Sequence, residues 1–146
     1  MNHQGKPIEI LVVEDNPGDV RLIQENLKAF KMANEVHVVK DGVEAMQYLR
    51  QQGPYTGTTP PDLIILDLNL PKKNGREVLA EIKEDPVLKR IPVIILTSSE
   101  ADDDILKAYD LHANCYVTKP GRLDDFVKVI QAIEYFWISI VKLPHA

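Results

Sequence analysis

An α/β fold, with a parallel sheet covered by helices on both faces, is what this chain predicts. Two observations carry that expectation. Short uninterrupted apolar runs such as Leu63-Ile64-Ile65-Leu66 and Val93-Ile94-Ile95-Leu96 read as strands buried on both faces, the pattern of parallel sheets. Five such strand-like segments alternate with five segments of helical apolar spacing, which places a crossover helix after each strand. The length of 146 residues fits one domain.

Taken in order, residues 1–7 are polar and expected to fray. The core is expected over 8–122, and an extended last helix over 123–143. Ile8-Glu9-Ile10-Leu11-Val12-Val13 is a first strand that ends at Glu14-Asp15. Asn16 then reads as a helix N-cap, with Pro17 at the first helical position and Asp19 in the first turn. Val20, Ile23, Leu27 and Phe30 recur at helical spacing and are expected to face the sheet. Residues 35–39 form a second strand, and Asp41-Gly42 turns the chain into a second helix with Val43, Met46 and Leu49. The Gly-, Pro- and Thr-rich loop 51–61 carries no ligand motif.

The third strand, Leu63–Leu66, runs straight into Asp67, and Pro71 and Gly75 follow. Residues 76–84 form an amphipathic helix with Val78, Leu79 and Ile82 on one side, stopped at Asp85-Pro86. The fourth strand, 91–96, ends at Thr97-Ser98-Ser99. The next helix opens with Glu100, Asp102, Asp103 and Asp104, acids that complement a helix dipole without invoking metal. Cys115-Tyr116-Val117 is a short fifth strand ending at Thr118-Lys119-Pro120. The last helix runs from about Leu123 towards Val141.

Composition narrows the function classes. The chain is 45% hydrophobic and 27% charged, as in ordinary globular proteins, and carries a net charge of -5. With no basic cluster it does not read as an autonomous nucleic-acid binder. Cys115 is the one cysteine, which excludes an intrachain disulfide. With no secretory signal, that points to a reducing, cytoplasmic setting, and Cys115 reads as a buried structural thiol. No apolar stretch approaches the ~20 residues that span a bilayer. His3, His37, His112 and His145 share no metal-ligand spacing.

The strand ends matter together. In a parallel sheet all carboxyl ends lie at one edge, where ligands bind in open α/β folds. Glu14 and Asp15, Asp67, Thr97 and Lys119 would converge there. Acids crowded within ~4 Å repel by about 4 kcal/mol per pair at an effective dielectric of ~20. They raise one another's pKa or bind a cation, and all-oxygen ligands suit Mg²⁺. Asp67 at such an edge would be a carboxylate nucleophile for phosphorus, with Lys119 and Thr97 on the phosphoryl oxygens.

This pattern resembles the receiver domain of two-component response regulators. The pieces that carry it are Glu14-Asp15, residues 66–71 with Gly75, Thr97-Ser98 and Lys119-Pro120. The resemblance covers nearly the whole chain and implies a flavodoxin-like (βα)5 doubly wound sandwich with strand order 2-1-3-4-5. It implies that Asp67 is the phosphoacceptor. Asp15, Asp67 and the backbone carbonyl of Asn69 would bind Mg²⁺, or Mn²⁺ in its place, with Glu14 acting mainly through water. Thr97 and Tyr116 would be switch residues, Lys119 would bind a phosphate oxygen, and the Lys119–Pro120 bond would be cis. Asn69 and Ser99 hold positions that tune autodephosphorylation in receivers. Gly121 departs from the aromatic residue that many receivers have there.

Residues 19–22, residues 69–83 and the ending from Phe136-Trp137 to Leu143-Pro144 are similar to the small response regulators partnered with cyanobacterial phytochromes. The implied donor is a phosphohistidine on a sensor histidine kinase of the bacterial phytochrome type. The output would be a change of the face formed by the fourth helix, fifth strand and fifth helix. A stand-alone receiver of this kind is a switch, not an enzyme: its own chemistry is phosphoryl uptake and slow autodephosphorylation. Two other readings compete. One is an unphosphorylated receiver-like adaptor, and the other is a small flavodoxin-like enzyme or binding protein. The intact acidic pair, Asp67, Thr97 and Lys119 speak against the first. Acids where a phosphate-binding loop needs Gly and Ser/Thr speak against a flavin.

The last helix holds more apolar surface than one face accommodates. Leu123, Phe126, Val127, Ile130, Ile133, Trp137, Ile140 and Val141 form one stripe. Val129, Ala132, Tyr135, Phe136 and Ile138 lie elsewhere around it. That excess predicts a two-fold homodimer with Tyr135, Phe136, Trp137 and Ile138 at the interface.

Overall fold

Alternation along each strand sends successive side chains to opposite faces of the sheet, and here that produces two cores. The computed structural model describes residues 6–144. The expected frayed N-terminus therefore lies mostly outside the described residues, as do His3 and His145. Strands β1 (Ile8–Val13), β2 (Asn34–Val39), β3 (Leu63–Leu66), β4 (Val93–Thr97) and β5 (Cys115–Thr118) pair in the order β2-β1-β3-β4-β5. Every pairing is parallel. Leu11, Val13, Ile64, Leu66, Val93 and Ile95 feed one core, and Ile10, Val12, Leu63, Ile65, Ile94 and Leu96 feed the other.

The connecting helices are α1 (Pro17–Ala29), α2 (Gly42–Leu49), α3 (Gly75–Glu84), α4 (Asp102–Asp110) and α5 (Leu123–Ile133). Helices α1 and α5 close one core through Ile23, Leu27, Phe126, Ile130 and Ile133. Helices α2, α3 and α4 close the other, where α3 buries Val78, Leu79 and Ile82. Asn16 caps α1 by accepting from the Asp19 N–H at 3.0 Å, and Pro17 opens the helix. Asn74 and Glu77 form a capping box on α3. Helix α4 is held less firmly. It buries only Ala108, and its N-cap residue Ala101 offers no side-chain acceptor.

Three local expectations change. In α2 the buried stripe begins at Gly42 and continues through Ala45, Met46 and Leu49, so Val43 falls outside it at 41% exposure. Strand β4 begins at Val93, because Pro92 has no N–H to give to a ladder; its carbonyl still accepts from Ile64. Cys115 is half-buried, and burial pushes its thiol up.

The largest change is at the C-terminus. Helix α5 stops at Ile133 and continues as a wider π-helical segment, Glu134–Ile140. There the Val141 N–H donates to the Phe136 carbonyl, five residues back, at 2.9 Å. The inward residues follow: Phe126, Ile130 and Ile133 at α spacing, then Ile138 and Leu143 five apart. Extending the ordinary helical period would put Ile140 in the core, whereas it is 54% exposed, as are Tyr135 and Phe136 at 60% and 50%. Leu123, assigned to the same stripe, is exposed as well. Ile138 is buried in its own domain and is not available to a second subunit. Trp137 is half-buried against the core. Among the described residues no helix is long and apolar enough to cross a membrane.

The wider turn also carries Glu134 inside, at 2% exposure, with Oε1 lacking a protein hydrogen-bond partner among the described residues. Burial pushes its carboxyl up to about 7 from 4.5. A carboxyl raised by folding contributes stability that is fully present below its unfolded value and lost as pH rises through its folded one. Urea unfolding is expected to show a loss of stability between about pH 5 and about pH 8. Glu134→Gln should reduce that loss by on the order of 2 kcal/mol; an unchanged pH slope would show that the carboxyl is solvated.

Candidate phosphoryl-transfer site

Glu14, Asp67 and Lys119 are each delivered by the end of a strand. The Glu14 N–H donates to the Val39 carbonyl at 3.0 Å and the Asp67 N–H to the Val13 carbonyl at 3.0 Å, so both continue their ladders by one residue. The Lys119 N–H does the same towards the Thr97 carbonyl, at 2.7 Å. Beyond Asp67 the chain folds back tightly. The Asn69 N–H donates to Asp67 Oδ1 at 3.1 Å, and the Gly75 N–H to the Leu68 carbonyl at 2.9 Å. A Cβ on Gly75 would collide with the backbone of Asp67 and Leu68, so only glycine lets α3 start this close to the acid.

At the centre is the Lys119 ammonium. Its Nζ lies 2.7 Å from Glu14 Oε1, 2.8 Å from Asp19 Oδ2 and 2.9 Å from Asp67 Oδ2. Glu14, Asp67 and Lys119 are all nearly buried, and Asp15 is exposed. Glu14, Asp15 and Asp67 each offer a carboxylate oxygen within 4.8 Å of the others. Burial pushes Glu14 up to about 7; the Lys119 hydrogen bond opposes this and the Asp67 charge adds to it. Burial works against the charge on Lys119, but hydrogen bonds to Asp19, Glu14 and Asp67 outweigh it and raise the ammonium's pKa. When all are ionised, the four carboxylates, Asp19 included, face one ammonium and leave the edge strongly negative.

Thr97 is fully buried, and its Oγ1 has no partner among the described residues. The Tyr116 hydroxyl donates to the Ser99 carbonyl at 3.0 Å, which ties β5 to the loop after β4. Arg76 forms an ion pair with Asp104, and the Ser99 hydroxyl donates to the same carboxylate. The start of α3 is thereby fastened to the start of α4.

Thus Glu14, Asp15, Asp67 and Lys119 come together as the strand ends predict. Asn69 is one turn away with its backbone on Asp67. The Lys119–Pro120 bond, expected cis, is trans, as are all described peptide bonds. Trans is the isomer an X–Pro bond favours by about 0.5–1 kcal/mol, and from it the ammonium reaches all three acids. The sequence pattern marks Asp19 only as a first-turn acid. Its place in the site was legible in one respect: the first turn of a helix that directly follows β1 faces the same sheet edge.

Comparison with known proteins agrees with this geometry. The model of the response regulator receiver domain matches residues 10–131. The response regulator Rcp1 of Synechocystis sp. is 54% identical over 140 residues, covering 96% of this chain and 95% of that protein. The crystal structure of the Mn²⁺-bound form of Rcp1 superposes with a TM-score of 0.93 at 53% identity, covering 95% of this chain and 100% of that one. The phosphorylated cyanobacterial phytochrome response regulator RcpA gives a TM-score of 0.93 at 55% identity, covering 96% and 100%.

Removing the central cation isolates its role. Lys119→Met leaves three carboxylates without a countercharge, and breaking a buried pair this way costs on the order of 3 kcal/mol. In chelator at about pH 8 the variant should unfold at correspondingly lower urea. The deficit should shrink as pH falls through about 7, where Glu14 takes up a proton, and be smallest below about pH 4, where the other acids follow. A deficit independent of pH would mean that packing, not charge, is lost.

Proposed function

Since the chain belongs to the response regulator receiver family and is a two-component response regulator, we propose that Asp67 is its phosphoacceptor. An Asp67 carboxylate oxygen attacks phosphorus. The new O–P bond forms as the P–N bond to the donor phosphohistidine breaks, and the imidazole nitrogen keeps the electron pair and takes up a proton. The observation that carries this reading is Lys119 Nζ at 2.9 Å from Asp67 Oδ2 within the acidic edge. It supports the reading because an ammonium beside this carboxylate can donate to a phosphoryl oxygen. The buried Thr97 hydroxyl, free of protein partners among the described residues, is a second donor for that group.

The oxygen-only donor set fits a hard divalent ion. Asp15, Asp67 and the Asn69 backbone would hold Mg²⁺, or Mn²⁺, with Glu14 at its margin. When bound, the ion supplies charge neutralisation for the incoming phosphoryl group. Glu14 must be ionised to take part. Slow autodephosphorylation, tuned by Asn69 and Ser99, returns the switch to rest. Thr97 and Tyr116 carry the change to the face of α4, β5 and α5, through the Tyr116–Ser99 hydrogen bond. The donor is a sensor histidine kinase of the phytochrome type. This is supported by the similarity, along nearly the full length of both chains, to a cyanobacterial phytochrome response regulator. The setting is cytoplasmic, and residues 1–146 act as one receiver domain. A homodimer forms through the exposed Tyr135 and Phe136, with Trp137 at the margin.

Two experiments test this. With Mg²⁺ and a small phosphodonor, intact mass should show one added phosphate that is lost in base, and Asp67→Asn should lose it altogether. An undiminished adduct on Asp67→Asn would assign the chemistry elsewhere. In sedimentation velocity the protein should run as a dimer and Phe136→Glu as a folded monomer; a dimer that survives the substitution removes this surface from the interface.

A further inference from the structure

Asp19 is the one carboxylate on Lys119 that stands outside the group of three able to share a metal ion. Its position is fixed by the chain itself. The Asn16 N–H donates to Glu14 Oε2 at 3.1 Å, and Asn16 Oδ1 accepts from the Asp19 N–H at 3.0 Å. The cap that starts α1 therefore sets Glu14 and Asp19 at a fixed separation, with the Lys119 ammonium between them at 2.7 and 2.8 Å. An ammonium has three N–H donors, and here it is hydrogen-bonded to Asp19 and Asp67 and ion-paired with Glu14.

A phosphoryl group arriving at Asp67 needs one of those donors. A divalent ion held by the acidic edge would compete with Lys119 for Glu14 and Asp67, which belong to the group able to hold it, but not for Asp19, which stands outside that group. A lysine side chain is a flexible four-carbon stem. Once released by two partners, it keeps its place only if the third remains. We propose that Asp19 is a positioning residue for phosphoryl transfer: it anchors Lys119 from α1, so that the ammonium turns from Glu14 and Asp67 to a phosphoryl oxygen without leaving the site. Asp19 touches neither phosphorus nor metal and acts only through Lys119. The inference rests on the phosphoacceptor reading of Asp67.

The test is single-turnover phosphorylation by a small phosphodonor at saturating Mg²⁺, with the donor concentration varied. Asp19 is partly solvent-facing, so its variants are expected to fold, which thermal melts check. Asp19→Asn should lower the maximal rate by about tenfold, within the roughly 100-fold that a 1 Å misplacement can cost. The half-saturating donor concentration should move by less than about twofold. Asp19→Glu, which keeps the charge, should recover most of the rate. In a Lys119→Met background Asp19→Asn should change nothing further, because the two residues act as a unit. If that background is too slow to time, the mobility of the Lys119 Nζ by NMR replaces it, and it should rise in Asp19→Asn. A wild-type rate for Asp19→Asn, the same loss without Lys119, or unchanged Nζ mobility would each overturn the inference while leaving Asp67 as phosphoacceptor. A wild-type protein that takes up no phosphate would overturn both.

Discussion

A single ammonium held among three carboxylates is the interaction on which this molecule's edge depends. Lys119 joins groups far apart in sequence: Glu14 at the end of β1, Asp19 in the first turn of α1 and Asp67 at the end of β3. Without a countercharge, acids this close repel by several kcal/mol, and the edge would protonate or spread. With it, the acids stay close enough to one another to accept a divalent ion. The electrostatic excess that suits the edge to a cation is thus also a load on the fold, and the sheet bears it. Glu14, Asp67 and Lys119 each extend a parallel ladder by a backbone hydrogen bond, and Asp19 is fixed by the cap of α1, so each side chain starts from a rigid place.

The sequence carried most of this because parallel sheets leave strong marks. Strands buried on both faces read as unbroken apolar runs, and their last residues lie at one edge whatever the helices do. That is why Glu14, Asp67, Thr97 and Lys119 could be assembled from strand ends alone. Strand order is not written in the same way; it followed from likeness to a family, and the sheet adopts it. Asp19 was missed because its first-turn position has a sufficient local explanation, and nothing local points to a lysine 100 residues away.

The C-terminal segment shows the limit of periodicity. Its apolar residues follow the α-helical period up to Ile133. Beyond that point the wider turn changes the angle per residue, and Ile138 and Ile140 exchange places between core and surface. Sequence reveals that there are too many apolar residues for one face. It does not reveal the pitch that sorts them, since that depends on packing Ile138 and Leu143 against the sheet.

Helix α4 buries one alanine and has no side-chain cap, and its start is tied to α3 by the Arg76–Asp104 ion pair. Such an element opens locally at far lower free energy than the sheet it covers. The gradient of rigidity across the molecule therefore runs in one direction. Asp67 ends a strand buried along its whole length, and the helix after the Thr97–Ser99 loop buries a single alanine. On the proposed reading, a phosphoryl charge at Asp67 would have little to deform on its own strand and would do its work in the layer that yields.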